Sequence, residues 1–220
     1  MKNIKFLALT GLAFLSQSAF SQNTDNNIST NTFYTKAEDK TVTGTQYYDP
    51  LFMTAKLNED NLAMVRYNAY SDQIEVKKPN AEITALVPEK DLVITTSDLR
   101  YNYEFVSYTT EDSENMMGYL NRIVNNTNVK IYTRMKVIFQ PEVPSNGYQQ
   151  LKPANYKKLP LKYFIKIKDG SIVELSTNKK KVGKLFPGKE AQVTDFIGKN
   201  KLSLDKEADI TKLADFLNTL

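Results

Sequence analysis

The chain contains no cysteine, no histidine and no tryptophan, and it has only eight glycines in 220 residues. Each absence removes a class of chemistry. Without histidine or cysteine, Ser-His-Asp and Cys-His nucleophile systems cannot be assembled, nor can the common zinc sites or haem ligation through imidazole or thiolate. There is no disulfide framework, and no cysteine to carry a lipid at a cleavage site. The few glycines form no Walker-type or dinucleotide-binding fingerprint. Carboxylates, tyrosines, serines and lysines remain as chemical groups, and no cofactor or metal is expected.

Long apolar runs are equally scarce. The longest occupies residues 6–15, shorter than the ~20 residues needed to cross a bilayer. It follows Lys2 and Lys5 and gives way to Ser16-Gln17-Ser18, with the small residues Ala19 and Ser21 placed three and one positions before Gln22. Charged, apolar and polar segments in that order predict a cleavable signal peptide over 1–21. The expected product is a soluble protein of the periplasm or extracellular space, and not a lipoprotein. Loss of Lys2 and Lys5 lowers the formal net charge from +4 to +2. A surplus that small argues against a nucleic-acid partner.

With 41% apolar and 25% charged residues, the chain has the composition of an ordinary globular protein. Residues 22–44 are rich in Asn, Thr and Ser and read as a mobile polar leader. Residues 45–220 read as one α+β domain, with strands over 45–176 and helices over 177–220. Period-two alternation carries the strand assignment. Over 129–139, Val129, Ile131, Met135, Val137 and Phe139 share one face, and Lys130, Tyr132, Arg134 and Lys136 share the other. Leu99, Tyr101, Tyr103 and Phe105 form an aromatic stripe. Segments 62–70 and 73–77 make a hairpin across Ser71-Asp72, Asn125 to Asn128 mark a second turn, and Asp169-Gly170 suggests a type I′ turn.

After Ser176 the period lengthens to that of a helix. Val182, Leu185 and Phe186 form one triplet, Val193, Phe196 and Ile197 another, and Ile210, Leu213, Ala214, Leu217 and Leu220 a longer stripe with Ser203 or Asp205 suited to start it. Pro187-Gly188 separates the first two helices. The expected architecture is an antiparallel β-sheet of about eight strands, with strong curvature allowed, followed by two to three short helices packed on it.

The segments Leu62 to Tyr70 and Gln73 to Val76, with Lys184-Leu185-Phe186-Pro187, Phe196-Ile197 and Lys199 to Ser203, resemble those of a group of uncharacterised exported proteins of Bacteroidota. The resemblance extends to Asp209-Ile210, Lys212-Leu213 and Phe216-Leu217, and it implies export and no particular activity.

Few residues suggest a site. Glu59-Asp60 and Glu111-Asp112 with Glu114 offer oxygens but lack the spacing of a calcium loop, so solvated turns explain them better. Glu75, Glu104 and Glu174 lie on strands, and a carboxylate-based hydrolase would need two of them to converge. The proline-rich stretch 139–161 carries Tyr148 and Tyr156 and reads either as a cover over a binding surface or as a long connection. Lys130, Arg134 and Lys136 on one strand, with Lys162, Lys166 and Lys168 on another, would make a cationic face with Tyr132 and Phe164 interleaved. Such a face suits an anionic polymer, lipid headgroups or an envelope protein, although a plain solvated face is the reading the residues favour. A non-enzymatic binding or interaction module fits these features best. A carrier of an apolar ligand between sheet and helices, and a carboxylate-based hydrolase, are the alternatives.

Overall fold

The computed structural model describes residues 42–57, 61–90 and 92–220; the expected signal peptide, most of the polar leader and the Glu59-Asp60 pair lie outside the described residues. Twelve described strands precede three described helices. The strands are β1 (Met53–Leu57), β2 (Asn61–Asn68), β3 (Gln73–Lys77), β4 (Ile83–Ala85), β5 (Val93–Thr96) and β6 (Asn102–Thr109), then β7 (Asn115–Asn125), β8 (Val129–Arg134), β9 (Val137–Gln140), β10 (Asn155–Lys158), β11 (Lys162–Ile167) and β12 (Ile172–Glu174). The helices are α1 (Lys179–Gly183), α2 (Glu190–Lys199) and α3 (Glu207–Leu217). Strands followed by short helices make the chain α+β.

The sheet is not a simple open one of about eight strands. Ten strands form it in the order β12-β11-β8-β7-β6-β5-β1-β2-β3-β4, and β12 also pairs with β6. That last pairing closes β6, β7, β8, β11 and β12 into a five-stranded barrel, from which the other five strands extend. The closure is parallel, with Ile172 opposite Tyr108 and Val173 opposite Thr109, whereas the other strand pairings are antiparallel. A register shift between Arg122 and Val124 bends β7, as an extra residue does where a strand must curve.

One side chain from each barrel strand fills the interior: Tyr108, Leu120, Tyr132, Phe164 and Ile172, all buried. The opposite face of β8 and β11 carries Val129, Ile131, Tyr163 and Ile165 into a second core against Val182, Val193, Ile197, Ile210, Leu213 and Leu217 of the helices. The helical stripes therefore pack on the outside of the barrel, as their spacing predicts. A third core joins Val65, Tyr67, Ile74 and Ile94 of the extension to Tyr103, Tyr119 and Val137.

Several local expectations need correction. Segment 129–139 is two strands rather than one. It breaks at Met135-Lys136, after which β9 leaves the barrel to pair with β10. Nor is β8 half-buried, because barrel closure buries Tyr132 on the face that looks polar in the sequence. Leu99 sits in a turn at φ 58° and is 73% exposed, so the strand begins at Asn102. The turn between β11 and β12 takes its positive φ at Lys168 (49°), with the Gly170 N–H bonded to the Ile167 carbonyl at 2.9 Å. The Lys168 N–H bonds to the Asn128 carbonyl at 2.8 Å, which extends the β8–β11 ladder and moves the turn back by one residue from a centre at Asp169-Gly170. Helix α3 is capped at Lys206 and by neither Ser203 nor Asp205; the Asp209 carboxylate instead accepts from the Ser203 N–H at 2.9 Å. The end of the polar leader is also tied down. Thr43 bridges to Asn155, and Gly44 at φ 73° lies against the Tyr156 carbonyl, where a Cβ would collide.

Candidate functional site

The six basic residues singled out above separate into unlike environments. In the antiparallel pairing of β8 with β11, Lys130 faces Lys166 and Arg134 faces Lys162. Paired residues of neighbouring strands point to the same side, so these four belong to the interior face of the barrel, at opposite ends of the Tyr132 and Phe164 layer. Lys136 lies beyond β8 and donates to the Tyr70 carbonyl at 3.0 Å, and Lys168 is in the turn. Tyr132 and Phe164 are 2% and 0% exposed and fill the barrel; they are not interleaved on a surface.

The two basic pairs differ in what neutralises them. Lys162 forms an ion pair with Glu174 at 2.8 Å, and the Glu174 side chain is only 8% exposed; Arg134 lies 5.7 Å from the centre of the Tyr108 ring. The ammonium groups of Lys130 and Lys166 have no ion-pair or hydrogen-bond partner among the described residues. Both are half-buried, and register partners carry Cβ atoms about 4.5–5.5 Å apart. Like charges placed directly opposite destabilise a sheet. Two ammonium groups held this way leave up to six N–H donors in search of an acceptor.

They open onto a cleft of about 1120 Å³ at the barrel mouth. Its shape follows from β6. Residues Asn102–Glu104 pair with β5, and Tyr108 and Thr109 pair with β12, so Phe105 to Ser107 have no register partner along that edge. The cleft occupies this gap, with Lys90, Leu92 and Val93 on one side and Gly170, Ser171 and Ile172 on the other. Arg122 and Glu104 line it as an ion pair between diagonal neighbours of β7 and β6. The Tyr132 hydroxyl donates to the second Glu104 oxygen at 3.2 Å. Burial, and then the Glu104 charge, push the Tyr132 hydroxyl far above its ordinary pKa, so it stays a donor. Among the described residues of the lining, Lys90, Arg122, Lys130 and Lys166 stand against Glu104.

No protein-family model, curated protein or solved structure matches the chain. The assignment of a site therefore rests on geometry.

The other candidates are placed as follows. Glu75 is held by Arg66 at 2.6 Å and by the Asn68 amide at 3.0 Å, so Glu75, Glu104 and Glu174 each answer a different cation. Glu111 accepts from Lys181 at 2.7 Å and from the Ser176 hydroxyl at 3.0 Å. The cleft lies at the barrel mouth, not between sheet and helices where an apolar carrier would need its cavity; that space holds the side chains of the second core. Tyr148 is 99% exposed, while Tyr156 on β10 packs edge-on to Tyr70 at 5.4 Å and against Phe139 at 5.1 Å. The proline-rich stretch between β9 and β10 is the loop of a two-stranded ribbon. Sequence reasoning missed Arg122 and Lys90. Arg122 does share a period-two stripe with Leu120 and Gly118, which was the available signal.

Proposed function

We propose that the protein is an exported, non-enzymatic binding module whose ligand is anionic and occupies the cleft at the barrel mouth. The observation that carries this reading is the facing, partly buried Lys130 and Lys166 pair, which has no counter-ion among the described residues, beside a second basic pair that has one. A ligand anion supplies the missing charge. It is held by charge-assisted hydrogen bonds, which are shorter and roughly twice as strong as neutral ones. Arg122 stays engaged with Glu104 and shapes the rim. The ordered N-terminal pattern of Lys2, Lys5 and the apolar run supports export, as does the resemblance to exported Bacteroidota proteins.

Calorimetric titration with inorganic phosphate tests the binding reading. Affinity should fall as salt rises through physiological strength, where the Debye length is about 8 Å, and should be lost in the Lys130→Gln/Lys166→Gln protein. Salt-independent binding, or equal binding by the double variant, would place the anion elsewhere. Export is tested by mass spectrometry of the secreted protein, which should begin at Gln22. An intact Met1 on that protein would contradict it.

A further inference from the structure

We infer that the ligand is an amphiphilic anion, an alkyl chain ending in a carboxylate, with the head at Lys130 and Lys166 and the chain along the gap in β6. This rests on the reading of the cleft as an anion site and names the class of ligand.

The lysines supply only part of the cleft lining. Between the ends of β5 and β12 the cleft is bordered by Val93, Val106, Met116, Met117 and Ile172. Val106 and Met116 are only partly buried, although both pack against the barrel's interior core, and Met117 is 62% exposed. A closed wall would have covered Val106. Here the edge of β6 away from β7 has no register partner at Phe105 to Ser107, so an apolar strip of the barrel interior opens sideways into the cleft. Exposed aliphatic and thioether surface in a concavity is unfavourable in water and is relieved by an apolar occupant. Methionine suits a chain of variable shape, because its unbranched thioether adapts to irregular partners.

Charge and apolar surface meet at one place. Ile172 is the register partner of Lys166 on β11, and Tyr108, its partner on β6, follows Val106 by two positions on the same face. The head-binding lysines and the apolar strip are therefore adjacent columns of one barrel wall. A short acid such as acetate or a carboxylated sugar polymer would use the lysines and leave the strip wet. An alkyl carboxylate uses both. Its two carboxylate oxygens accept from the two ammonium groups, which also removes the repulsion between them.

The test is calorimetry on the full mature chain with hexanoate, octanoate, decanoate and dodecanoate, each below its micellar concentration. Affinity should rise roughly fourfold per added CH₂, the equivalent of ~0.8 kcal/mol per buried methylene, and the matching alkanols should bind at least about tenfold more weakly. Met117→Gln, at an exposed position of the cleft lining, should flatten the chain-length dependence. If phosphate binds at the lysines but affinity ignores chain length, or if alkanols bind as tightly as the acids, the inference is overturned and the anion-site reading stands. If phosphate binding also fails, the underlying reading falls with it.

Discussion

Replacing Lys166 by glutamate should stabilise the ligand-free protein, although it changes a partly buried residue inside a barrel. Lys166 and Lys130 are directly opposed in register, and neither has a counter-ion among the described residues. Opposed unlike charges contribute about 0.2–1 kcal/mol to a sheet, and like charges cost a similar amount. The Lys166→Glu exchange removes one term and adds the other, giving an expected gain of about 1 kcal/mol, or a rise in Tm of roughly 2–4 °C for a chain of this size. Urea unfolding at low ionic strength measures it through the midpoint at unchanged m. The gain should shrink in 1 M salt, where the Debye length is ~3 Å. Lys162→Glu is the control. Its register partner is Arg134, but its own partner Glu174 is 8% exposed and would then face a new carboxylate, so this variant should lose stability. A Lys166→Glu protein less stable than wild type, or a gain that salt does not reduce, would refute the reasoning.

Other outcomes follow from the cores. A Cβ at Gly118 would collide with the Asp72 carboxylate, which accepts from the Tyr67 hydroxyl at 2.7 Å and the Tyr119 N–H at 3.3 Å. Gly118→Ala should therefore cost ~1–3 kcal/mol by overpacking, and unchanged urea unfolding would show that Asp72 moves freely. Leu213→Ala, at a buried position of α3, should cost ~2–5 kcal/mol in the same assay. Burial pushes the Tyr119 hydroxyl up to about 12 and raises those of Tyr67 and Tyr103 well above the usual range. The folded chain then holds these protons where the unfolded chain, near pKa ~10, has lost them. Their contribution to stability is thus complete below about pH 10 and lost as pH rises toward 12. Alkaline titration should show tyrosinate absorbance from these rings appearing together with loss of circular dichroism, and their ionisation at pH 10 in an intact fold would contradict it.

What was legible in the sequence was whatever repeats locally. The period-two stripes of Val65, Tyr67 and Ala69, and of Val129 and Ile131, are buried as their spacing predicts, and so is the helical stripe of Ile210, Leu213 and Leu217. Barrel closure left no such mark. The pairing of Ile172 with Tyr108 joins residues far apart in sequence, through a parallel bridge of two residues whose partner choice no local pattern encodes. The cationic face illustrates the consequence. Lysines opposite an apolar stripe look solvated, and only Tyr132 and Phe164 in their midst hinted that this face too is enclosed. Once it is enclosed, the same lysines become two opposed pairs with unequal neutralisation. Arg122 and the gap in β6 depend on where β5 ends and β12 begins, so the cleft itself could not be read from the stripes.

The most direct test of the central claim is an NMR titration that follows the side-chain ammonium resonances of Lys130 and Lys166 while phosphate is added to the mature protein. These two should shift together and saturate at one affinity, while the Lys162 resonance, already paired with Glu174, stays in place. Shifts spread evenly over the surface lysines, or confined to Lys162 and Arg134, would contradict it.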